Sequence, residues 1–271
     1  MAQNFNLQIK GLVRFSYLSK GGFALSDKDP EAIREILYDP ERLERRFALF
    51  ERLALPSIRN QLDKNFTVGV LIGKSFPKEA RQHLEAITAN VPQVQIIALP
   101  EMVHYTAIKR AFAAMPDLPD ATHTATFRLD DDDAMHRMTT RRVRQLANAL
   151  LAIRGDKTAF ALAFNRGFYL DVGNQEQPIT EWYEKTPLGV GLALVAPKDD
   201  KVNVFRRNHR KLGEYFDCYT EVEKPMFIRS VHAGNDSGAA PTGRKGVLRE
   251  KEIIRHLKRG FGMTLEDLRN V

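Results

Sequence analysis

Four consecutive aspartates, Asp130-Asp131-Asp132-Asp133, stand at the end of the run THTATFRL (Thr122 to Leu129) and are followed by Ala-Met. Ala125, Phe127 and Leu129 read as the buried side of a strand, so the acidic run sits at a strand end. In extended geometry alternate side chains point the same way, which places Asp130 with Asp132 and Asp131 with Asp133. Neighbouring carboxylates raise the cost of ionising one another. A hard divalent cation such as Mn²⁺ or Mg²⁺ relieves that cost, and Mg²⁺ takes only one or two protein carboxylates, filling its shell with water and phosphate oxygens. The run therefore points to a metal-bound phosphate ester. Most acidic runs are solvated loops, but a polar cluster behind buried strand residues is expensive unless it is used. An EF-hand is excluded, because counting from Asp130 the sixth position is Met135 and the twelfth is Arg141. An aspartyl-phosphate mechanism fits poorly, since nothing singles out one nucleophilic Asp.

The elements that must position this run are legible on both sides of it. LQIKGLVRFSY (Leu7 to Tyr17) predicts a strand that runs into SKGGF, where Gly21 and Gly22 break regular structure. Asp39 and Pro40 open a helix whose Leu43, Phe47, Phe50 and Ala54 fall at helical spacing until Pro56 interrupts. FTVGVLIG (Phe66 to Gly73) and VQIIALP (Val94 to Pro100) are continuously apolar, as strands covered on both faces are, and each precedes a helical pattern. TTRRVRQLANALLAI follows the aspartates as a further helix. This alternation implies a parallel sheet with ligands at the strands' carboxyl ends. Beyond it, TAFALAFNRGFYLDV, GLALVAP and MFIRSVH (Met226 to His232) read as strands separated by polar stretches, extending the sheet and building an acceptor side.

The 271 residues carry 41 Lys+Arg against 34 Asp+Glu, a net charge of +7. From Pro241 onward eight Lys/Arg face four Asp/Glu, so a basic segment accounts for four of the seven excess charges. Its Leu248, Ile253, Ile254 and Leu257 keep helical spacing, which suits a helix packed on the domain, and Thr264 with Asp267 resembles a capping box. The one cysteine, Cys218, excludes an internal disulfide and a multi-thiolate metal site. The start lacks the basic-then-apolar pattern of a secretory signal and no apolar run reaches a membrane span, so the sequence reads as cytoplasmic.

Arg14-Phe15 at the first strand end, the stretch LFERLALPSIRNQLDKNFTVGVLIG, the strand end FRLDDDDAM and the late MFIRSVHAGNDSG together resemble the putative rhamnosyltransferase family of bacterial GT-A type glycosyltransferases. The resemblance covers most of residues 9 to 238, and its best motif is Arg128-Leu129-Asp130-Asp131-Asp132-Asp133, which matches the family's Asp-x-Asp signature. It implies an α/β GT-A type domain over residues 1–240, with a mostly parallel central sheet flanked by helices, and a basic helical tail over 241–271. It implies a nucleoside-diphosphate sugar donor, a divalent Mn²⁺ or Mg²⁺ cofactor, and a glycan or small hydroxyl acceptor. Asp130 would lie against the ribose or base with Arg14, Arg128 and Asp131 on the nucleotide-sugar side. Asp132 would bind the metal, His232 would complete the metal shell, and Asp133 would position donor or metal, taking part in catalysis.

An inverting enzyme also needs a base for the acceptor hydroxyl. His209, in FRRNHRKLGEYF at a helix start after Asn208, is the leading candidate, with Asp171, Glu181 and Glu184 as others. Arg206, Arg207, Arg210 and Lys211 form a second basic cluster that suits a diphosphate or an anionic acceptor. Gly234 and Gly238 read as turn formers. Two rival readings remain at this level. One is a metal-dependent nucleotidyl or phosphoryl transferase, which would need a Gly- and Lys/Arg-rich loop stronger than SKGGF. The other is a non-catalytic polyanion-binding protein acting through the tail, although no nucleic-acid partner is expected. The tail also leaves peripheral contact with the inner membrane face open.

Overall fold

The computed structural model describes residues 5–20, 29–232 and 240–271. Gly21 and Gly22, like Gly234 and Gly238, lie outside the described residues. The first apolar run forms strand β1 (Leu7–Arg14), followed by the short β2 (Ser19–Lys20). Helices α1 (Pro30–Leu37) and α2 (Pro40–Leu49) both begin after an aspartate. Asp29 accepts from the Glu31 amide and Asp39 from the Arg42 amide. The following proline supplies a helical φ where no N–H is needed.

Pro56 does not end the second helix as the sequence suggests. The chain passes through a π-helical turn, Phe50–Ala54, into α3 (Leu55–Arg59), and the Leu55 amide donates to the Phe50 carbonyl five residues back. That widened turn lies just ahead of Pro56, whose ring and missing N–H would otherwise disrupt the ladder.

Strand β3 (Thr67–Gly73), α4 (Lys78–Thr88), β4 (Val94–Leu99), the short β5 (Met102–Val103), α5 (His104–Ala114) and β6 (His123–Asp130) continue the alternation. After the acidic turn come β7 (Ala134–Met135), α6 (Thr139–Arg154), β8 (Phe160–Phe164), β9 (Arg166–Asp171), β10 (Ile179–Tyr183) and β11 (Ala193–Pro197). A 3₁₀ helix (His209–Glu214), β12 (Asp217–Glu221), β13 (Phe227–Val231), β14 (Arg244–Lys245), α7 (Glu250–His256), a second π-helical turn (Leu257–Phe261) and α8 (Leu265–Arg269) complete the order.

The large sheet has the order β12-β8-β11-β6-β1-β3-β4, and every neighbouring pair is parallel except those of β11, which opposes β6 and β8. From β1 the chain moves outward to β3 and β4, then returns to the other side of β1 for β6. The crevice between the carboxyl ends of β1 and β6 is therefore the topological switch point, where open α/β sheets bind ligands. Arg14 and Asp130 are register partners there.

Both faces of this sheet are covered. Leu12, Leu71 and Ile97 pack with Ile108 and Phe112 of α5, while Val13, Val70 and Leu129 pack with Phe47, Leu84 and Val143 of α2, α4 and α6. At Gly11 any Cβ would stand 2.2 Å from the ring of Phe127, its register partner on β6, so the ring lies directly on the glycine backbone.

The second half both extends the sheet, through β8, β11 and β12, and builds a separate one of order β14-β10-β9-β13-β7. The basic tail closes a core on this second sheet. Ile253, Leu257, Phe261, Met263 and Leu268 pack with Leu49, Leu53, Ala134, Phe168, Leu170, Ile179 and Ile228. The expected box forms, with Thr264 Oγ1 accepting from the Asp267 amide at 3.1 Å and the Asp267 carboxylate from the Thr264 amide at 2.7 Å. Among the described residues no helix is long and apolar enough to cross a membrane.

Candidate active site

Strand β6 delivers Asp130 to the switch point, and the chain turns immediately after it, the Asp133 amide donating to the Asp130 carbonyl at 3.3 Å. The extended alternation expected for the four carboxylates therefore ends at Asp130, and no two of them share a side in that way. Each finds a cation or donor, Asp131 and Asp132 sharing Arg46. Asp130 Oδ1 accepts from the Arg14 guanidinium at 3.1 Å and lies 3.7 Å from that of Arg128. Asp131 takes the fork of Arg46, with Nε donating to Oδ2 at 3.0 Å and the Arg46 NH2 group contacting Oδ1. Asp132 Oδ2 lies 3.0 Å from both the Arg46 NH1 group and His232 Nε2. Asp133 Oδ1 accepts from the Ser230 amide at 2.9 Å, while its Oδ2, 4.0 Å from the Arg229 guanidinium, has no hydrogen-bond partner.

The charge repulsion that the sequence assigns to a metal is thus met by four arginines facing four aspartates. Burial differs among the four: Asp131, Asp132 and Asp133 are 1%, 6% and 2% exposed, while the Asp130 side chain keeps 28%. Burial alone would lift the Asp130 carboxyl, but Arg128 and Arg14 outweigh it and hold it below the usual carboxylate range. For Asp132, Arg46 and the hydrogen bond to His232 likewise overcome burial. Asp133 goes the other way, because burial and the charge of Asp132 push it well above the usual range against the pull of Arg229.

A wall of cations and rings forms around Arg14 and Arg128. The Arg14 NH1 group lies 3.2 Å from His104 Nε2, and the Arg128 NH1 group 3.4 Å from His209 Nδ1. Both guanidiniums sit over the ring of Phe205, at 5.8 and 4.9 Å from its centroid. Burial, then the neighbouring arginines, lower His104 to about 4 and His209 to about 3. His209 does begin a helix capped by Asn208, whose side chain accepts from the Arg210 amide. An imidazole held that low is a weak base at neutral pH.

The other acidic candidates for a base are placed differently. Glu181 is buried against Arg166 at 2.7 Å and accepts from the Leu248 amide at 3.0 Å. Glu184 accepts from the Tyr169 hydroxyl at 2.7 Å and the Thr242 hydroxyl at 2.6 Å. Asp171 ends β9 as an exposed residue.

Arg46, Arg229, His104 and Phe205 escape the sequence reading. The first two carried a usable signal: Arg46 stands three residues after Leu43 and one before Phe47 on an apolar stripe, and Arg229 interrupts the apolar run MFIRSV. A cation on a buried face needs a buried anion.

Among the described residues no three His, Cys, Asp or Glu side chains converge as a metal-binding group. The Asp132–His232 pair does converge, offering one hard oxygen and one imidazole nitrogen. A divalent ion held by the pair would displace the Arg46 contact to Asp132 Oδ2 and take the rest of its shell from water and phosphate oxygens.

The family model described as Putative rhamnosyl transferase matches residues 8–244. The chain belongs to this family. Its members are glycosyltransferases by that description, and the mixed α/β architecture with a mostly parallel central sheet is the GT-A type fold expected of them. No curated protein matches the chain in sequence. Among solved structures, S. aureus TarS 1-349 in complex with UDP aligns at 12% identity and a TM-score of 0.45, covering 83% of this chain and 60% of that one. The same protein with UDP-GlcNAc aligns at 10% identity and a TM-score of 0.41, covering 84% and 60%. A Putative Glucose-1-Phosphate Thymidylyltransferase from Bacillus anthracis aligns at 10% identity and a TM-score of 0.40, covering 79% and 87%. The chain thus spans 60% of the length of that TarS chain.

Proposed function

We propose that this protein is a metal-dependent glycosyltransferase that moves a sugar, rhamnose by the family's description, from a nucleoside-diphosphate donor to a hydroxyl acceptor such as a surface glycan. The observation that carries this reading is the meeting of Asp132 with His232 beside Asp130 and Arg14 at the switch point. Breaking the bond between the anomeric carbon and the diphosphate develops negative charge on the leaving phosphate, and a divalent cation held by Asp132 and His232 would supply Lewis-acid stabilisation of it.

Asp130, the most open of the four carboxylates, takes the ribose or base, while Arg14 and Arg128 line the nucleotide side. Asp131, turned inward to Arg46, fixes the turn from behind. Asp133, buried and accepting from the Ser230 amide, positions the donor or metal from behind.

Thermal unfolding with UDP, GDP and dTDP, each with and without Mn²⁺, tests this. Ligand at a hundredfold over its dissociation constant stabilises by about 2.7 kcal/mol, roughly 5 to 11 °C for a chain of this size. The expected result is a shift for one nucleotide that needs Mn²⁺ and is absent in Asp132→Asn. No shift for any diphosphate in the presence of Mn²⁺ would overturn the donor-site assignment.

A further inference from the structure

We infer that the acceptor is anionic and is held by a basic lip on the segment Phe205–Glu214, an inference that rests on the transferase reading above. The segment is anchored at the site from two positions. The Phe205 ring lies under Arg14 and Arg128, and His209 meets Arg128. Between and after these anchors the chain presents Arg206, Arg207, Arg210 and Lys211, with Glu214 the one acidic residue of the segment.

The lip differs in kind from the inner site. There, Arg14, Arg46, Arg128 and Arg229 each face an aspartate of the acidic turn. Among the described residues no carboxylate lies within 4.0 Å of Arg206, Arg207, Arg210 or Lys211. Among the described residues the lip's cations are therefore without an ion pair, while those of the inner site are paired.

Two of these cations are also spaced apart on separate aromatic platforms. The Arg206 guanidinium sits 5.4 Å from the centroid of Tyr105, on the first turn of α5, and that of Arg207 sits 4.0 Å from the centroid of Tyr215. Arg210 is half-buried, and its charge reaches both His209 and Tyr169 of the second sheet. The charges thus run from Tyr105 on α5 to Tyr215 just after the 3₁₀ helix. A single diphosphate needs a compact cradle, whereas a row of exposed, separately seated cations matches an acidic glycan carrying several anionic groups along its length.

The test uses the full chain and three fluorescent probes at several salt concentrations: polygalacturonate as an acidic glycan, dextran as a neutral one, and a single-stranded oligothymidine. The variant Arg206→Gln/Arg207→Gln/Lys211→Gln is compared with Lys251→Gln/Arg255→Gln/Arg259→Gln, which removes equal charge from the tail. The expected result is polygalacturonate binding without dextran binding, weakened about tenfold in the lip variant only. The dependence of log affinity on log salt should flatten by about 2, at about 0.7 per lost contact. UDP, GDP and dTDP responses should be unchanged in the lip variant, and Asp132→Asn should keep full polygalacturonate binding, which separates failure of this inference from failure of the donor reading. Equal loss in the tail variant, tighter binding of the oligonucleotide through the same residues, or loss of the nucleotide response in the lip variant would each overturn it.

Discussion

Arg46 illustrates how much of the site depends on a residue that touches no substrate in the proposed chemistry. Its guanidinium spans Asp131 and Asp132, both nearly inaccessible. Removing one partner of a buried ion pair leaves an uncompensated charge, at a cost of about 3 to 5 kcal/mol. Arg46→Gln is expected to lower the unfolding midpoint by roughly 6 to 12 °C, taking the low end of that cost. Adding Asp131→Asn should recover a large part of the loss, and thermal unfolding of the single and double variants measures both. A drop of only a degree or two in Arg46→Gln would show that the trio contributes no more than a surface pair. The aspartates themselves were plain in the sequence, but their partners were not, because Arg46 lies 85 positions before Asp131 and only the folded chain joins them.

At the scale of elements, the acidic turn is held between β6, which ends in Asp130, and β7, which leads to His136. The His136 ring is closely packed against Gly260 of the tail, where a Cβ would stand 2.5 Å from its Cδ2, and the Arg137 amide donates to the Gly260 carbonyl at 2.8 Å. Burial, helped by the charge of Arg137, lowers His136 from 6.5 to about 4. The folded state then binds fewer protons than the unfolded one between those values. Its contribution is complete above about pH 6.5 and drains away as pH falls towards 4, amounting to about 3 kcal/mol over the interval.

His136→Asn keeps an acceptor near the Nδ1 position that receives the Met138 amide. Its midpoint should fall less than that of the wild type between pH 7 and pH 4.5. Equal slopes in unfolding scans across that range would remove His136 from the account. The long apolar strands and α2, with its Asp39-Pro40 start, were readable because period and caps are local signals. Strands β10 and β12 were not, since they are short and mix polar with apolar residues, while α1 went unread despite the same kind of start at Asp29-Pro30.

For the whole molecule, residues 241–271 pack as their helical spacing suggests, and their place in the fold shows what they cover. Their apolar residues complete a core with α2, the acidic turn's β7 and the second sheet, so the site's supports meet in one place. A chain cut after Lys245 would bare Leu53, Phe168, Leu170, Ile179 and Ile228, an apolar patch of the kind that drives aggregation. Such a chain is expected to bind an apolar dye and to lose its cooperative transition. A sharp transition at the wild-type midpoint would instead make the tail an accessory. The apolar spacing of Ile253 and Leu257 announced a packed helix, but sequence separation left its partners illegible, because a tail's own pattern says nothing of what its apolar face covers.

The four arginines that balance the acidic turn also set an order of events during synthesis. Arg14 and Arg46 leave the ribosome well before the aspartates, whereas Arg229, His232 and the Gly260 backing follow by about a hundred residues or more. For that interval Asp133 has no Arg229 and β7 has no β13 to pair with. Until then only Arg14, Arg46 and Arg128 of its four arginines are available to the turn. Domains fold as units as their chains emerge, and in this one the acidic turn can close only once the chain has been made as far as Gly260, whose carbonyl takes the Arg137 amide.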